Sequence, residues 1–416
     1  MALPIYILAI NYVAWFVFMF IAVVWIIVML NNRGKTDRTR AFKKLPVVSI
    51  MIPAYNEEKT IRKTIESVLS LDYPKNLLDV IVINDCSKDG TRKIAEEFAG
   101  RGDIRLLNNE PNRGKAYSLN RALKICRGEF AACIDADSIV EAPIVRKLLP
   151  YFYDETVGSV TPALKVWRKE SLLERVQYAE YILNIFLRKM LSFLDSIHVT
   201  PGVFSMYRLS VLKEVGGFDE DNLTEDMEMA LKIHEHGYKI ESNLDAMSYT
   251  MCPTKWGELY RQRLRWYRGA IENMAKYKHM LFNPEYGNLG MFFLPTNLIA
   301  IASIIAVFAS TAYSYMDSAT NAVWRLSLIN FDFLSLFGKI DLAMTLEELM
   351  TTSFALGVAG IALGGYLLLT SFRSVGVKMR GNIVGYLLYL LMFPFIMMTF
   401  WSAAIVHEVA GARKKW

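Results

Sequence analysis

Residues 3–30 contain no charged side chain. At about 1.5 Å of rise per residue a helix of that length crosses the hydrocarbon core of a bilayer. Three comparable runs follow at about 286–316, 350–372 and 382–406. These runs carry most of the excess behind an apolar content of 53%, and they make the chain an integral membrane protein. The first run lacks a basic leader and a small-residue cleavage site, so it reads as an anchor that is kept. Behind it stand Arg33, Lys35, Arg38, Arg40, Lys43 and Lys44. By the positive-inside rule they put the following domain in the cytosol, at the plasma membrane.

Between the apolar ends the pattern changes to short apolar segments alternating with amphipathic ones. Strands are expected at VVSIMI, LDVIVI, IRLL and EFAACI, with helices starting near Glu57, Thr91 and Lys115. Such alternation predicts an α/β domain with a mostly parallel sheet covered on both faces, and ligands of such sheets bind beyond the carboxyl ends of the strands. The expected divisions are an anchor at 1–31, a soluble domain at 46–250, an interfacial helical region at 251–285, and about three spans within 286–416.

The strand ends carry the chemistry. After the first come Pro53, Ala54, Tyr55, Asn56 and Glu57, which offer a rigid turn, an aromatic ring and polar groups. After the second come Asn84, Asp85 and Cys86. After the fourth come Asp135, Ala136 and Asp137, an Asp-x-Asp whose acids can converge on a hard cation such as Mg²⁺ or Mn²⁺. No glycine-rich phosphate loop is present. A bound nucleotide would need metal and side chains for its phosphates, and Lys115, at a helix start, is a candidate.

Further on, Ser171 and Glu174 form the signature of a capping box that opens a long helix. Thr224, Glu225 and Asp226 begin another, and residues 255–282 read as a basic amphipathic helix with aromatic residues, suited to a membrane surface. The four cysteines show no metal-ligand spacing, and no nucleic-acid-binding signature is visible. A net charge of +6 suits anionic lipid headgroups.

The ordered motifs PAYNEE, NDCSKDG, NRGKAYSLN, DAD, TED and QRLRW resemble those of the family 2 inverting glycosyltransferases, above all the membrane-embedded synthases of cellulose, chitin, hyaluronan and poly-N-acetylglucosamine. The resemblance implies a GT-A type nucleotide-sugar-binding domain joined to an α-helical transmembrane bundle. It implies that Tyr55 stacks on uracil with Pro53 and Glu57 beside it, that Asp85 bonds the base, and that Lys115 approaches the diphosphate. Asp137 would ligate Mg²⁺ or Mn²⁺, and Asp135 would contact ribose or sugar. Where the family commonly has Asp-Asp-Gly, this chain has Asn84-Asp85-Cys86.

The same resemblance implies that Asp226, beside Glu225, takes the proton from the acceptor hydroxyl. Gln262 and Arg265 would face the donor, Arg265 meeting the departing diphosphate. Gly202 would lie by the acceptor and Trp266 would offer it a flat face. The implied reaction is transfer from a UDP-sugar, UDP-GlcNAc or UDP-Glc, to a growing β-linked chain exported across the membrane. The alternatives are single addition to a lipid acceptor and a non-catalytic subunit. Counting four spans from an exterior N-terminus puts Arg413, Lys414 and Lys415 outside, against the positive-inside trend, unless 326–337 also enters the membrane.

Overall fold

The computed structural model describes residues 5–32, 42, 44–328 and 352–412. The basic residues at 33–43, the charged residues at 332–348, the tail at 413–415 and all of 326–337 beyond residue 328 lie outside the described residues.

A central sheet of eight strands organises the soluble part, in the order β3-β2-β1-β4-β7-β6-β8-β5. Its members are β1 (Val48–Ala54), β2 (Leu78–Asn84), β3 (Arg105–Asn108), β4 (Phe130–Ile134), β5 (Ser138–Val140), β6 (Val157–Val166), β7 (Val203–Arg208) and β8 (Lys239–Thr250). The four strands expected from sequence form the parallel half, β3-β2-β1-β4. The other half is mixed: β7 runs antiparallel to both β4 and β6, while β6 and β8 run parallel.

Helices α1 (Ile5–Asn31), α2 (Ile61–Leu69), α3 (Thr91–Gly100), α4 (Lys115–Leu123), α5 (Ile144–Leu148) and α6 (Leu172–Phe193) come first along the chain. They are followed by α7 (Leu209–Glu214), α8 (Glu225–Glu235), α9 (Trp256–Lys276), α10 (Leu294–Leu328), α11 (Thr352–Ser374) and α12 (Ile383–Val409).

Strands β1 and β4 are buried along their whole length because both faces are covered. Val48, Ile50 and Ile52 of β1 and Phe130, Ala132 and Ile134 of β4 point to the layer holding Ile61, Ile65 and Phe98 of α2 and α3. Met51, Ala131 and Cys133 point the other way, to Leu119 and Ala122 of α4 and Met229 and Ala230 of α8. Alternation of side chains along a strand makes every residue a core residue when helices lie on both sides.

One expectation is corrected here. Pro53 is not the turn: β1 runs through it to Ala54, opposite Ile83 of β2. The pairing of β1 with β4 stops at Met51, so the missing N–H of Pro53 falls where that ladder has ended.

Among the described residues four helices are long and apolar enough to cross a membrane: α1, α10, α11 and α12, with mean hydropathies of 2.9, 2.2, 1.8 and 2.1 in their most apolar windows. Helices α1 and α10 run antiparallel, with Phe20 against Phe292 (ring centroids 6.5 Å apart) and Ser310 Oγ donating to Asn11 at 3.2 Å. Gly360 of α11 sits directly under the indole of Trp15. A β-carbon there would overlap the ring, which gives the small residue its reason.

The soluble domain meets this bundle through α6 and α9. The capping box is formed as expected, Ser171 accepting from the Glu174 N–H and Glu174 from the Ser171 N–H. Between the two helices Arg263 pairs with Glu180 at 2.7 Å, the two side chains 3% and 6% exposed. Removing one member leaves the other charged and buried. Arg263→Met is expected to cost about 3–5 kcal/mol, read as a lower midpoint of thermal unfolding in detergent, with Glu180→Leu/Arg263→Met recovering most of the loss.

Candidate active site

The first two strand ends are sewn together before any ligand is considered. Asn56, in the left-handed region at φ 56°, accepts from the Lys88 N–H at 2.8 Å, and the Thr91 hydroxyl accepts from the Glu57 N–H at 2.7 Å. Glu57 itself accepts from the Thr60 hydroxyl at 2.6 Å at the approach to α2. Its carboxyl is raised above the ordinary range by burial, and the charges of Asp135 and Asp89 add to that rise. Tyr55, beside this knot, is 45% exposed, leaving its ring free to stack.

Asp85 is engaged by its own neighbourhood. It is buried, and its carboxylate accepts from Asn109 Nδ2 at 2.7 Å, the Arg113 N–H at 3.0 Å and the Gly114 N–H at 2.7 Å. Those bonds take up most of the acceptor sites of the carboxylate. Asp85 therefore shapes the loop 109–114 in this structure, and through it fixes where α4 begins.

Lys115, the first residue of α4, is the meeting point of distant motifs. Its ammonium lies 2.6 Å from Asp135 Oδ1 and 2.8 Å from Glu225 Oε1. Burial works against the charge, but Asp135, Glu225 and Asp226 outweigh it and hold Lys115 well above its usual range. The Asp-x-Asp thus reaches this point from β4, and the Thr-Glu-Asp segment reaches it from α8. A shift of register in the β4–β7 ladder between Cys133 and Ile134 precedes Asp135 and re-aims the strand end.

Gly202 belongs to the same cluster. A β-carbon there would come within 2.5 Å of Lys115 Nζ and 2.9 Å of the Asp135 carboxylate. The absence of a side chain is what lets this backbone lie over the ion pair, so the structure sets Gly202 against Lys115 and Asp135.

Asp226 stands in the first turn of α8. Its carbonyl accepts from the Thr200 N–H at 3.2 Å and hydroxyl at 2.9 Å. Burial pushes its carboxyl up to about 6, and Glu225 adds to the rise against the opposing pull of Lys115 and Arg265. Glu225 moves the other way. Burial would raise it, yet Lys115 and Arg265 keep it below the ordinary range. Two adjacent acids thus occupy different protonation regimes, the arrangement expected where one holds a charge and the other exchanges a proton.

Among the described residues no three His, Cys, Asp or Glu side chains converge as a ready cage for a metal. The fit is to a cation that keeps most of its own waters. Mg²⁺ is commonly held by one or two carboxylates plus substrate phosphates. Asp137 matches that requirement: burial raises its carboxyl to about 6, and Asp135 and Glu57 contribute further negative potential.

The QRLRW segment lies on α9, and its members divide. The charge of Arg265 is felt by both Glu225 and Asp226. Gln262 Oε1 is buried and has no hydrogen-bond partner among the described residues. Trp266 is half-buried, with the Arg263 guanidinium over its ring at 4.3 Å. Part of the aromatic face of α9 packs on α12: Tyr267 stacks on Trp401 with centroids 4.5 Å apart, and Tyr260 packs edge-on against Phe400.

Several residues that position this site carry no sequence signal of their own. Asn273 of α9 donates to the Thr224 hydroxyl at 3.0 Å and accepts from Asn222 at 2.7 Å. Gly269, one turn earlier, lies so close to Thr224 that a β-carbon would overlap the threonine side chain. Arg188, on α6, is lowered to about 10 by burial, with Asp226 and Tyr181 pulling it back up. It arises in a helix whose sequence speaks only of packing.

With this geometry established, comparison with known proteins is informative. The sequence profile of glycosyl transferase family 2 matches residues 49–216. Over these residues the chain is similar to the family 2 glycosyltransferases. Poly-beta-1,6-N-acetyl-D-glucosamine synthase of Staphylococcus epidermidis is 34% identical over 231 residues, 55% of this chain and 56% of the relative. The synthase of that name from Staphylococcus aureus (strain COL) is 31% identical over 235 residues, 56% of this chain and 57% of the relative. The chain thus spans little more than half the length of the curated relatives it matches. The solved structure of a mannosyltransferase from Pyrobaculum calidifontis, in complex with GDP-Man and Mn²⁺, superposes with a TM-score of 0.64 at 20% identity over 98% of both chains. At that identity the likeness concerns the fold, which is the GT-A arrangement expected from the motifs.

The contact of Gly269 with Thr224 gives the seating of α9 beside α8 a test independent of chemistry. Gly269→Ala is expected to cost about 1–3 kcal/mol by overpacking. Thr224→Gly in the same chain should make the combined loss smaller than the sum of the single losses, by about 0.5 kcal/mol or more, as read from unfolding midpoints.

Proposed function

We propose that the chain is an inverting, metal-dependent glycosyltransferase that transfers a sugar from a UDP-sugar, UDP-GlcNAc or UDP-Glc, to the hydroxyl of a growing β-linked polysaccharide. One observation carries the reading: a single ammonium, Lys115, is paired at once with the Asp-x-Asp acid Asp135 and the Thr-Glu-Asp acid Glu225. Acids ninety residues apart therefore share one pocket, with Asp137 on one side and Asp226 on the other.

In this reading Tyr55 stacks on the base. Lys115 and Arg265 face the diphosphate, Arg265 suiting phosphate by its planar fork. Asp137, with Asp135 adjacent, holds a divalent ion, Mg²⁺ or Mn²⁺, which when bound supplies charge for the leaving diphosphate. Asp226 accepts the proton of the acceptor hydroxyl as that oxygen bonds to the anomeric carbon. The bond from that carbon to the diphosphate breaks, and its electron pair leaves on UDP. Attack from the opposite face inverts the configuration. Trp266 gives the acceptor sugar a flat surface, and Gln262 offers a free buried acceptor to the bound pair. Repeated addition draws support from the relatives at 31–34% identity, whose names describe a β-linked polymer. The domain faces the cytosol at the plasma membrane, where UDP-sugars are made.

Incubation of the purified protein with labelled UDP-sugars and sizing of the product tests the whole reading. A polymer is expected; a single sugar on a lipid would replace polymer synthesis by single addition, and no UDP release from any donor would remove the activity.

Asp226→Asn is expected to lower UDP release by about 10²–10⁴-fold while donor binding, followed by calorimetry, persists. The pH dependence has a definite sign. Asp226, raised to about 6 chiefly by burial, must be ionised to accept a proton, so the rate should fall on the acid side of about pH 6 and level off above it. Asp137, raised to about 6 by burial and Asp135, loses its cation over the same range, and extra Mg²⁺ should restore part of the lost rate. Chelation at neutral pH should abolish release, and added Mg²⁺ or Mn²⁺ should restore it.

A further inference from the structure

Three of the four apolar helices touch the catalytic domain at one end only. Helix α1 arrives at the domain, its last turns placing Val28 and Met29 against Phe186 and Met190 of α6. Helix α10 departs from it, with Phe293 and Leu294 still inside the domain core. Helix α11 returns, bringing Leu368 and Phe372 onto Tyr178 and Ile182 of α6.

Helix α12 touches the domain at both ends. At its start Asn382 donates to the Arg175 carbonyl of α6 at 3.0 Å, and Gly385 packs against the same carbonyl. At its finish Glu408 is ion-paired with Arg268 of α9, and Arg268 also donates to the Ala412 carbonyl at 2.8 Å. Arg268 is the neighbour of Gly269, which lies against Thr224 beside the acid pocket.

The middle of α12 stays near the domain as well. Leu390 reaches Gly364, about 15 Å before the domain end of α11 at 1.5 Å per residue. Phe400 and Trp401 share a cluster with Ile301, about 10 Å past the start of α10.

We propose that α12 does not cross the membrane. It lies along the domain-side leaflet as a lid under α6 and α9, which leaves α1, α10 and α11 as the crossings among the described residues. Its free face, with Ile383, Leu387, Leu391 and Phe395 exposed at four-residue spacing, takes the acyl layer of that leaflet as its partner. A helix of 27 residues is about 40 Å long, so had it crossed, Glu408 would stand a full bilayer away from Arg268.

Cysteine accessibility in sealed vesicles tests this without reference to activity. In full-length protein with Cys86, Cys126, Cys133 and Cys252 replaced by serine, three single-cysteine variants are labelled with a membrane-impermeant maleimide. Lys124→Cys, exposed on the domain, marks the domain side, and Asp317→Cys, about 35 Å along α10, marks the far side. Ala412→Cys is expected to label with Lys124→Cys and not with Asp317→Cys. Labelling of Ala412→Cys from the far side, or from both sides, would overturn the proposal. If the cysteine-free background does not fold, an epitope placed after Trp416 of the otherwise native chain is digested by protease from one side: cleavage together with domain loops supports the proposal, and protection there with cleavage from the far side refutes it.

Discussion

The ammonium of Lys115 is the contact on which the pocket depends. It ties the start of α4 to the end of β4 and the start of α8, three elements brought from separate parts of the chain. Without it, Asp135 and Glu225 would confront one another across a buried space, and like charges so placed cannot both remain ionised. The surrounding structure is arranged to deliver this one side chain. Asp85 fixes the loop ahead of α4, and Gly202 leaves the volume that the ion pair fills.

A second constraint orients α9. Gly269 and Asn273 seat the helix on Thr224, while Tyr267 and Arg268 seat its opposite side on α12. The segment from Gln262 to Trp266 therefore has its rotation fixed from two sides. Because Arg265 influences both Glu225 and Asp226, the apolar bundle takes part in setting the electrostatics of the acid pocket, a link that runs through side-chain packing and needs no long-range device.

Much of this was legible beforehand, for reasons that can be named. Continuous apolar runs at Val48, Leu78 and Phe130 announce strands covered on both faces, and acids at their ends announce a site. The later half of the sheet was harder to read. Strands β6, β7 and β8 mix directions, and no local pattern says which neighbour a strand will choose. Pro53 looked like a turn because proline usually is one; only the end of the β1–β4 ladder makes it acceptable inside a strand. Asp85 looked free because hydrogen bonds from a loop 24 to 29 residues away leave no trace in sequence. The aromatic stripe of α9 could announce an apolar partner, but whether that partner is lipid or another helix depends on where α12 runs.

The charge balance of the pocket links its parts. Asp135, Asp137, Glu225 and Asp226 face Lys115 and Arg265. Acids outnumber bases by two, and the surplus falls on the two that lack a direct cation, Asp137 and Asp226, both raised to about 6. Lys115 is the charge common to both, and it lowers Asp137 and Asp226 alike against the burial that raises them. A diphosphate arriving alone would act in the reverse sense, drawing on Lys115 and Arg265 and pushing Asp226 toward its protonated form. Anything that engages Lys115 therefore acts on both raised acids at once.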